Sequence, residues 1–272
     1  PDVIVGLGGY ASAPAVVAGR MAGTPIVLLE QNARPGLTTR LLARLADRVC
    51  VSFAESASAF PPGKTVMTGN PVRWSADAST PEARPVRSTF GVLIFGGSGG
   101  ARTLNAAGPG LRAALADVPG LRVVHQTGAE AERTVRAAYA AAGVEADVRP
   151  FIADMGTAYA AADLVVCRAG ATTIAELAAL GKPAILVPYP YAADDHQRAN
   201  AESLVRAGAA RMVLDAEATP ERLAAEVRAL RAPGVLAEMS RHMRTLARPD
   251  AADRVLDTLE ELIRGRSRGG RP

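Results

Sequence analysis

Lysine is nearly absent from this chain: Lys64 and Lys182 stand alone among 31 basic residues, and all the others are arginine. A base-composition bias accounts for that as well as phosphate recognition does. Aromatic residues make up only 4%, so alanine, valine and leucine have to fill the core. A basic face studded with aromatics, the mark of a nucleic-acid binder, is missing, and a net charge of +4 is too mild to demand one. No nucleic-acid partner is expected. Cysteine occurs twice, as Cys50 and Cys167, each ending an apolar run. Two such residues make neither a disulfide framework nor a zinc site, and they read as buried thiols of a reducing compartment. No apolar run reaches the ~18 residues needed to cross a membrane, and no signal-peptide pattern is visible.

What is present is an ordinary globular composition, 272 residues with 49% hydrophobic and 21% charged, enough for one large or two small domains. From Phe90 onward strand and helix patterns alternate. Strands are expected at 91–95, 121–125, 148–151, 163–167, 183–188 and 210–214. Helices are expected at 103–116, 130–142, 154–162, 173–180 and 195–207. Such alternation with short connections predicts a parallel, doubly wound sheet. Ahead of Pro71 the same pattern yields only three or four strands, at 3–7, 25–29, 48–51 and 65–68. Pro1 leads straight into a strand, so the chain reads as the C-terminal part of a longer polypeptide. Asn70-Pro71-Val72-Arg73 and the polar stretch Ser75–Ser88 mark a connection between domains. Two amphipathic helices, 235–246 and 251–263, follow Pro233.

The richest segment is Cys167-Arg168-Ala169-Gly170-Ala171-Thr172-Thr173-Ile174-Ala175-Glu176. A glycine turn from a buried strand into a helix leaves backbone N–H groups aimed above the helix N-terminus. Thr172 and Thr173 add hydroxyl donors, and Glu176, a turn further in, suits the hydroxyls of a ribose. A nucleotide-diphosphate cradle and a plain capped helix with a surface glutamate both fit this stretch. Two more glycine loops, Gly6-Leu7-Gly8-Gly9-Tyr10 and Gly96-Gly97-Ser98-Gly99-Gly100, also follow strands. Neither carries the lysine of a P-loop. The first lacks the third glycine of a dinucleotide fingerprint, having Ala11 there, and no clear strand-end acid follows. An NTPase and a nicotinamide enzyme are therefore disfavoured.

Gly8-Gly9-Tyr10, Glu30-Gln31-Asn32, Gly69-Asn70-Pro71-Val72-Arg73, Gly96-Gly97-Ser98, Phe151-Ile152-Ala153-Asp154-Met155, Cys167-Arg168-Ala169-Gly170 and Asp195-His196-Gln197 occur in that order. Taken together they resemble the MurG family, bacterial N-acetylglucosaminyltransferases that convert lipid I to lipid II, over nearly the whole chain. The resemblance implies an α/β GT-B fold of two Rossmann-like, doubly wound parallel-sheet domains, the first incomplete. Residues 1–72 are then the C-terminal half of an N-terminal, membrane-facing acceptor domain, with 250–264 packing back onto it. Residues 73–249 form the UDP-GlcNAc-binding domain, and 265–272 a disordered tail. It further implies UDP-GlcNAc contacts at Asn32, Arg73, Ser98, Ile152, Ala171, Thr172, Thr173, Ile174, Ala175, Glu176 and Gln197, and an acceptor-phosphate loop at Gly8, Gly9 and Tyr10. On its own, Arg73 suits a hinge salt bridge as well as a phosphate, Ile152 suits the core, and Gln197 suits a solvated first helical turn.

By the same resemblance the reaction is an inverting displacement, with UDP-N-acetylglucosamine and undecaprenyl-linked lipid I as partners and no cofactor. Asp194-Asp195 is not the Asp-x-Asp of metal-dependent transferases, so no metal is expected. The enzyme is expected on the cytoplasmic face of the bacterial plasma membrane, as a peripheral protein on an anionic surface. Arg40, Arg44 and Arg48, at helical spacing, either meet its headgroups or form an ordinary solvated face. Three departures from the family stand out: Gly99 in place of glutamine, Leu29 in place of histidine, and a missing first glycine loop. Donor binding is thus expected of this chain, and transfer only weakly. His196 lies on the donor side, His125 suits a structural role, His242 looks incidental, and the general base is left unassigned. The alternatives are another GT-B enzyme, a UDP-GlcNAc 2-epimerase or a lipid glycosyltransferase, and a non-catalytic sugar-nucleotide-binding module.

Overall fold

A computed structural model describes residues 1–73 and 89–268. Their contacts divide them into two units: residues 1–73, 191–200 and 248–268 in the first, and residues 89–190 and 201–247 in the second. Residues 191–200 cluster with the first unit, although they fall inside the 73–249 stretch of the sequence reading. The connection expected across Ser75–Ser88 lies outside the described residues.

The first unit is built on four parallel strands, β1 (Ile4–Gly6), β2 (Ile26–Glu30), β3 (Arg48–Val51) and β4 (Thr65–Met67), in that spatial order. Its two central strands, β2 and β3, are mostly apolar because both of their faces are covered. Ile26, Leu28, Val49 and Val51 pack on one side with Val16 of α1 (Ser12–Met21) and Leu42 of α2 (Leu37–Leu42). Val27, Leu29 and Cys50 pack on the other with Val255, Leu259 and Leu262 of the last helix. Leu29, the departure from the family's histidine, is therefore absorbed into an apolar layer. That last helix runs Ala251–Arg268, so it extends past Ile263 into the stretch expected to be disordered. An exposed ion pair one turn apart joins Arg264 to Glu260 along it. The last four residues of the tail lie outside the described residues. The arginine stripe is also corrected: α2 stops at Leu42 and Arg48 opens β3, so Arg40, Arg44 and Arg48 do not share one helix face.

The second unit carries β5 (Phe90–Phe95), β6 (Leu121–Gln126), β7 (Asp147–Arg149), β8 (Leu164–Cys167), β9 (Ala184–Leu186) and β10 (Ala210–Met212). All pair in parallel, in the order β10-β9-β8-β5-β6-β7. That is the doubly wound arrangement, and its order reverses where β5 and β8 lie side by side. The helices between are α3 (Arg102–Ala114), α4 (Glu132–Ala141), α5 (Met155–Ala161), α6 (Ala171–Leu180), α7 (His196–Arg206), α8 (Pro220–Leu230) and α9 (Val235–Thr245), with α10 (Ala251–Arg268) beyond. The sequence reading did not anticipate α8. Its signals were present: Thr219 caps the Arg222 amide at 3.2 Å and Pro220 opens the helix. Leu223, Ala224, Val227 and Leu230 form its buried stripe against the core that also holds Val92, Ile94, Val123 and Val166.

The two lysines are structural cations. Lys64 donates to the carbonyls of Ala43, Arg44 and Ala46 at 3.2, 3.0 and 2.7 Å just past α2, and Lys182 to that of Ala162 at 2.9 Å past α5. Both cysteines are free and buried, and burial pushes both thiols up.

His125 ends up wholly buried near the close of β6. Its Nδ1 meets the Tyr139 hydroxyl at 3.0 Å and its Nε2 the Asn105 Oδ1 at 3.2 Å, while the Asn105 amide donates to the Thr127 carbonyl at 2.9 Å. With the Asn105 amide turned to Thr127, its Oδ1 faces Nε2, which suits a neutral ring protonated there. Burial lowers its pKa from 6.5 to about 4. Between those values the unfolded chain binds a proton that the folded one refuses, so stability falls as pH drops through that window and is insensitive to this group above it. Roughly 3 kcal/mol of stability is expected to disappear between pH 7 and pH 4 from His125 alone. Urea unfolding across that range checks this, with His125→Gln expected to flatten the profile; an equally steep profile in the variant would refute it.

Candidate functional site

At the reversal of strand order, Phe95 pairs level with Cys167, so β5 and β8 end together and release their loops side by side. The β8 loop is Arg168-Ala169-Gly170, and α6 begins at once at Ala171 with no side chain capping it. Ile174 N–H makes the first helical bond, to Gly170 O at 3.0 Å, so the amides of Ala171, Thr172 and Thr173 have no intrahelical partner. The β5 loop runs Gly96–Ala101 into α3, whose N-terminus also lacks a side-chain cap. Two uncapped helix N-termini therefore open at adjacent strand ends, where anions are stabilised.

The glycines there serve two different needs. At Gly100, with φ +75°, an added Cβ would lie 1.9 Å from the Thr127 carbonyl oxygen, so this glycine lets two loops touch backbone to backbone. Gly97 needs its φ of +93°, yet a Cβ at Gly97 or Gly99 would meet nothing. Gly170 has an ordinary φ of −66°. A Cβ on it would come no closer to its surroundings than 3.8 Å, at Thr173 Oγ1. Nothing in the fold requires glycine at 170, which leaves its surface clear for a ligand.

Side chains beneath these loops fix their shape. Gln126, buried at the end of β6, donates from Nε2 to the carbonyls of Gly97, Ser98 and Pro150 at 2.9, 3.3 and 3.4 Å. It joins the glycine loop to the turn that leads to Ile152. Ser98 itself is exposed, and the Ile152 side chain is buried, so Ile152 has only backbone to offer. Arg168, almost wholly buried, donates to the Val187 and Pro188 carbonyls at 3.1 and 3.2 Å and pairs with Asp215. Its guanidinium stacks 5.5 Å from the Tyr189 ring centroid. Asp215 in turn accepts from Thr103 Oγ1 of α3 at 3.0 Å. One buried cation thus ties the ends of β8 and β9 and, through Asp215, the stretch after β10 and the start of α3. Thr172 is exposed, Thr173 and Ala175 half-buried and Ile174 buried. Glu176 is half-buried and accepts from the Tyr159 hydroxyl at Oε2, 2.9 Å away.

The remaining expected residues belong to the first unit. Glu30, buried at the end of β2, accepts from Asn32 N, Asn32 Nδ2 and Gly36 N at 3.0, 3.2 and 3.2 Å. It is the strand-end acid that the sequence reading did not find, and the β2–α2 turn occupies its oxygens. Asn200 accepts from Ala33 N at 2.8 Å and donates to Asn32 Oδ1 at 3.1 Å. The structure therefore joins Asn32 to α7, three residues past Gln197, which is half-buried in the first turn of that helix. Ahead of α7, Asp194 and Asp195 both hold left-handed backbone, φ 53° and 54°, a strained conformation that gathers at functional sites. Gly8 and Gly9 take φ of +82° and +70° before α1, with Tyr10 highly exposed beside them. Arg73 is exposed. Sequence reasoning missed Glu30, Gln126, Tyr159, Arg168, Asn200 and Asp215 as supports; only Arg168 and Glu30 stood inside recognised motifs.

Residues 91–255 match the glycosyltransferase family 28 C-terminal domain, and residues 1–51 the glycosyltransferase family 28 N-terminal domain. The UDP-N-acetylglucosamine--N-acetylmuramyl-(pentapeptide) pyrophosphoryl-undecaprenol N-acetylglucosamine transferase of Geobacter sp. (strain M21) is 51% identical over 265 residues, 94% of this chain and 70% of that protein. Its namesake in Solibacter usitatus is 48% identical over 267 residues, 97% of this chain and 72% of that protein. The crystal structure of MurG from Acinetobacter baumannii matches with a TM-score of 0.81 at 38% identity, covering 96% of this chain and 74% of that one. The chain belongs to glycosyltransferase family 28, in the MurG-type line of N-acetylglucosamine transferases.

Proposed function

We propose that the chain transfers N-acetylglucosamine from UDP-GlcNAc to the C4 hydroxyl of the MurNAc of lipid I, giving lipid II for peptidoglycan. Kinship with the named relatives supports the reaction. The observation that carries the donor reading is the pair of uncapped helix N-termini, α3 and α6, at adjacent strand ends with an unobstructed Gly170 between strand and helix. In this reading the amides of Ala171, Thr172 and Thr173, with Ser98 and the threonine hydroxyls, hold the diphosphate. The backbone of Ile152 reads the uracil, Glu176 takes the ribose hydroxyls, and Ile174 and Ala175 shape the turn. Asn32 and Gln197 address the sugar, Arg73 a phosphate, and Gly8, Gly9 and Tyr10 the acceptor's phosphate.

The chemistry follows from that placement. The C4 oxygen bonds to the anomeric carbon as the bond from that carbon to the UDP oxygen breaks, with inversion. The hydroxyl proton leaves to a base, and the departing diphosphate takes the bonding electron pair. Preorganised amides at two helix ends stabilise the charge that builds on the leaving group.

Membrane association is part of the same reading, as a peripheral protein on the cytoplasmic face. Among the described residues no helix is long and apolar enough to cross a membrane. Leu7, Tyr10, Met21, Leu37 and Leu41 are exposed on α1, α2 and the loop before α1, with Arg20, Arg40 and Arg44 exposed among them. Exposed apolar side chains and exposed arginines on one unit suit an anionic lipid surface. Co-sedimentation with vesicles is expected to rise with anionic lipid content and to fall with added salt, whereas salt-independent binding would remove the electrostatic part.

Two measurements bear on the enzyme itself. Glu176→Ala is expected to weaken UDP binding by roughly 1–3 kcal/mol, the scale of a lost charge-assisted hydrogen bond. Calorimetry giving an unchanged affinity in a folded variant would refute the ribose assignment. Radiolabelled UDP-GlcNAc with a lipid I analogue is expected to label the lipid. The chain alone should be slower than the same chain joined to the preceding segment of the Geobacter relative. Conversion of UDP-GlcNAc without acceptor would instead indicate an epimerase, and binding without any turnover in either form a non-catalytic module.

A further inference from the structure

Tyr159 is the one wholly buried tyrosine of the second unit's core, with no exposed surface, and its hydroxyl lies 2.9 Å from Glu176 Oε2. It comes from α5, whereas Glu176 comes from the middle of α6, 17 residues on. Its ring stands edge-on to Phe95, 6.0 Å between centroids at 77°, and Phe95 is the last residue of β5 before the glycine loop. The phenol therefore cannot swing without disturbing packed neighbours. Burial, followed by the nearby Glu176 charge, pushes it well above its ordinary range, so the hydroxyl remains a donor. A tyrosine oxygen in a core needs a partner, and here it has taken one oxygen of a half-buried carboxylate. The other oxygen, Oε1, accepts no hydrogen bond from the described residues.

We propose that Tyr159 is a positioning residue that makes the site selective for ribonucleotides, by clamping Glu176 Oε2 so that Oε1 faces the ribose hydroxyls. A glutamate free to rotate would meet those hydroxyls in only some of its rotamers, and ordering it would cost part of the binding energy. The clamp removes that cost in advance. This rests on the reading of Glu176 as the ribose group, and it assigns to a buried residue without ligand contact the discrimination between ribose and its deoxy analogues.

The test is the ratio of affinities for UDP and 2′,3′-dideoxy-UDP, measured by calorimetry on the full chain and on Tyr159→Phe. The phenylalanine keeps the packing against Phe95 and removes only the hydroxyl. Wild type is expected to prefer UDP, and Tyr159→Phe to lower that preference by about tenfold while leaving dideoxy-UDP affinity within about twofold, as for one hydrogen bond to a charged group. A purely structural role would lower the melting temperature and leave the ratio unchanged, and that result overturns the proposal. Wild-type chain that binds both nucleotides equally would overturn the ribose assignment of Glu176 itself, and the proposal with it. Should the phenylalanine variant not fold, Tyr159→Met, an adaptable core filler, gives the same ratio to read.

Discussion

The level ending of β5 and β8 is the constraint on which the site depends. Because Phe95 and Cys167 pair at the last rung, two connections leave the sheet at one height and turn into helices on opposite sides. Each helix begins with amides that nothing in its own turn can satisfy. A fold with those strands one register out of step would separate the two N-termini by a strand residue's rise, about 3.3 Å. The parallel sheet supplies this geometry through its strand order, and the loops only decorate it.

Beneath the loops, polar side chains take the place that water would hold in a looser fold. Gln126 reaches three carbonyls, Arg168 reaches two and a carboxylate, and Glu30 accepts from two backbone amides and a side-chain amide. Among the buried side-chain polar atoms of the described residues, Arg112 Nε is left without a partner. Such networks add little net stability, since desolvation offsets much of the attraction, and they are strongly destabilising when half removed. Their yield is definition: with its carbonyls and amides met by buried side chains, a loop has one arrangement.

The pattern of strands and helices was readable in the chain because both sheets are buried on two faces. Runs such as Ile26–Leu29 and Val92–Phe95 must be continuously apolar, and the helices between them must carry a stripe. Where the reading failed, local signals competed. The helix α8 was passed over even though Thr219-Pro220 announces it. The last helix was ended at Ile263, ahead of the Gly/Arg-rich tail, yet it continues to Arg268. Arg40, Arg44 and Arg48 keep a helical spacing, but Leu42 ends the helix and Arg48 is drawn into β3 by the pairing of Val49–Val51 with β2.

The sequence by itself determined the alternation, the parallel class, the glycine turns and the order of motifs that marks the family. All of these are local or periodic, written in neighbouring residues. Only the tertiary structure decided which side chains stand behind the site. Tyr159 meets Glu176 across 17 positions, Arg168 meets Asp215 across 47, and Asn32 meets Asn200 across 168. Nothing in the spacing of such pairs repeats, because the contact is set by where a crossover returns to the sheet and not by any period of the chain. A buried tyrosine, glutamine or arginine looks in sequence like any other core or surface residue until the partner that satisfies it is brought alongside.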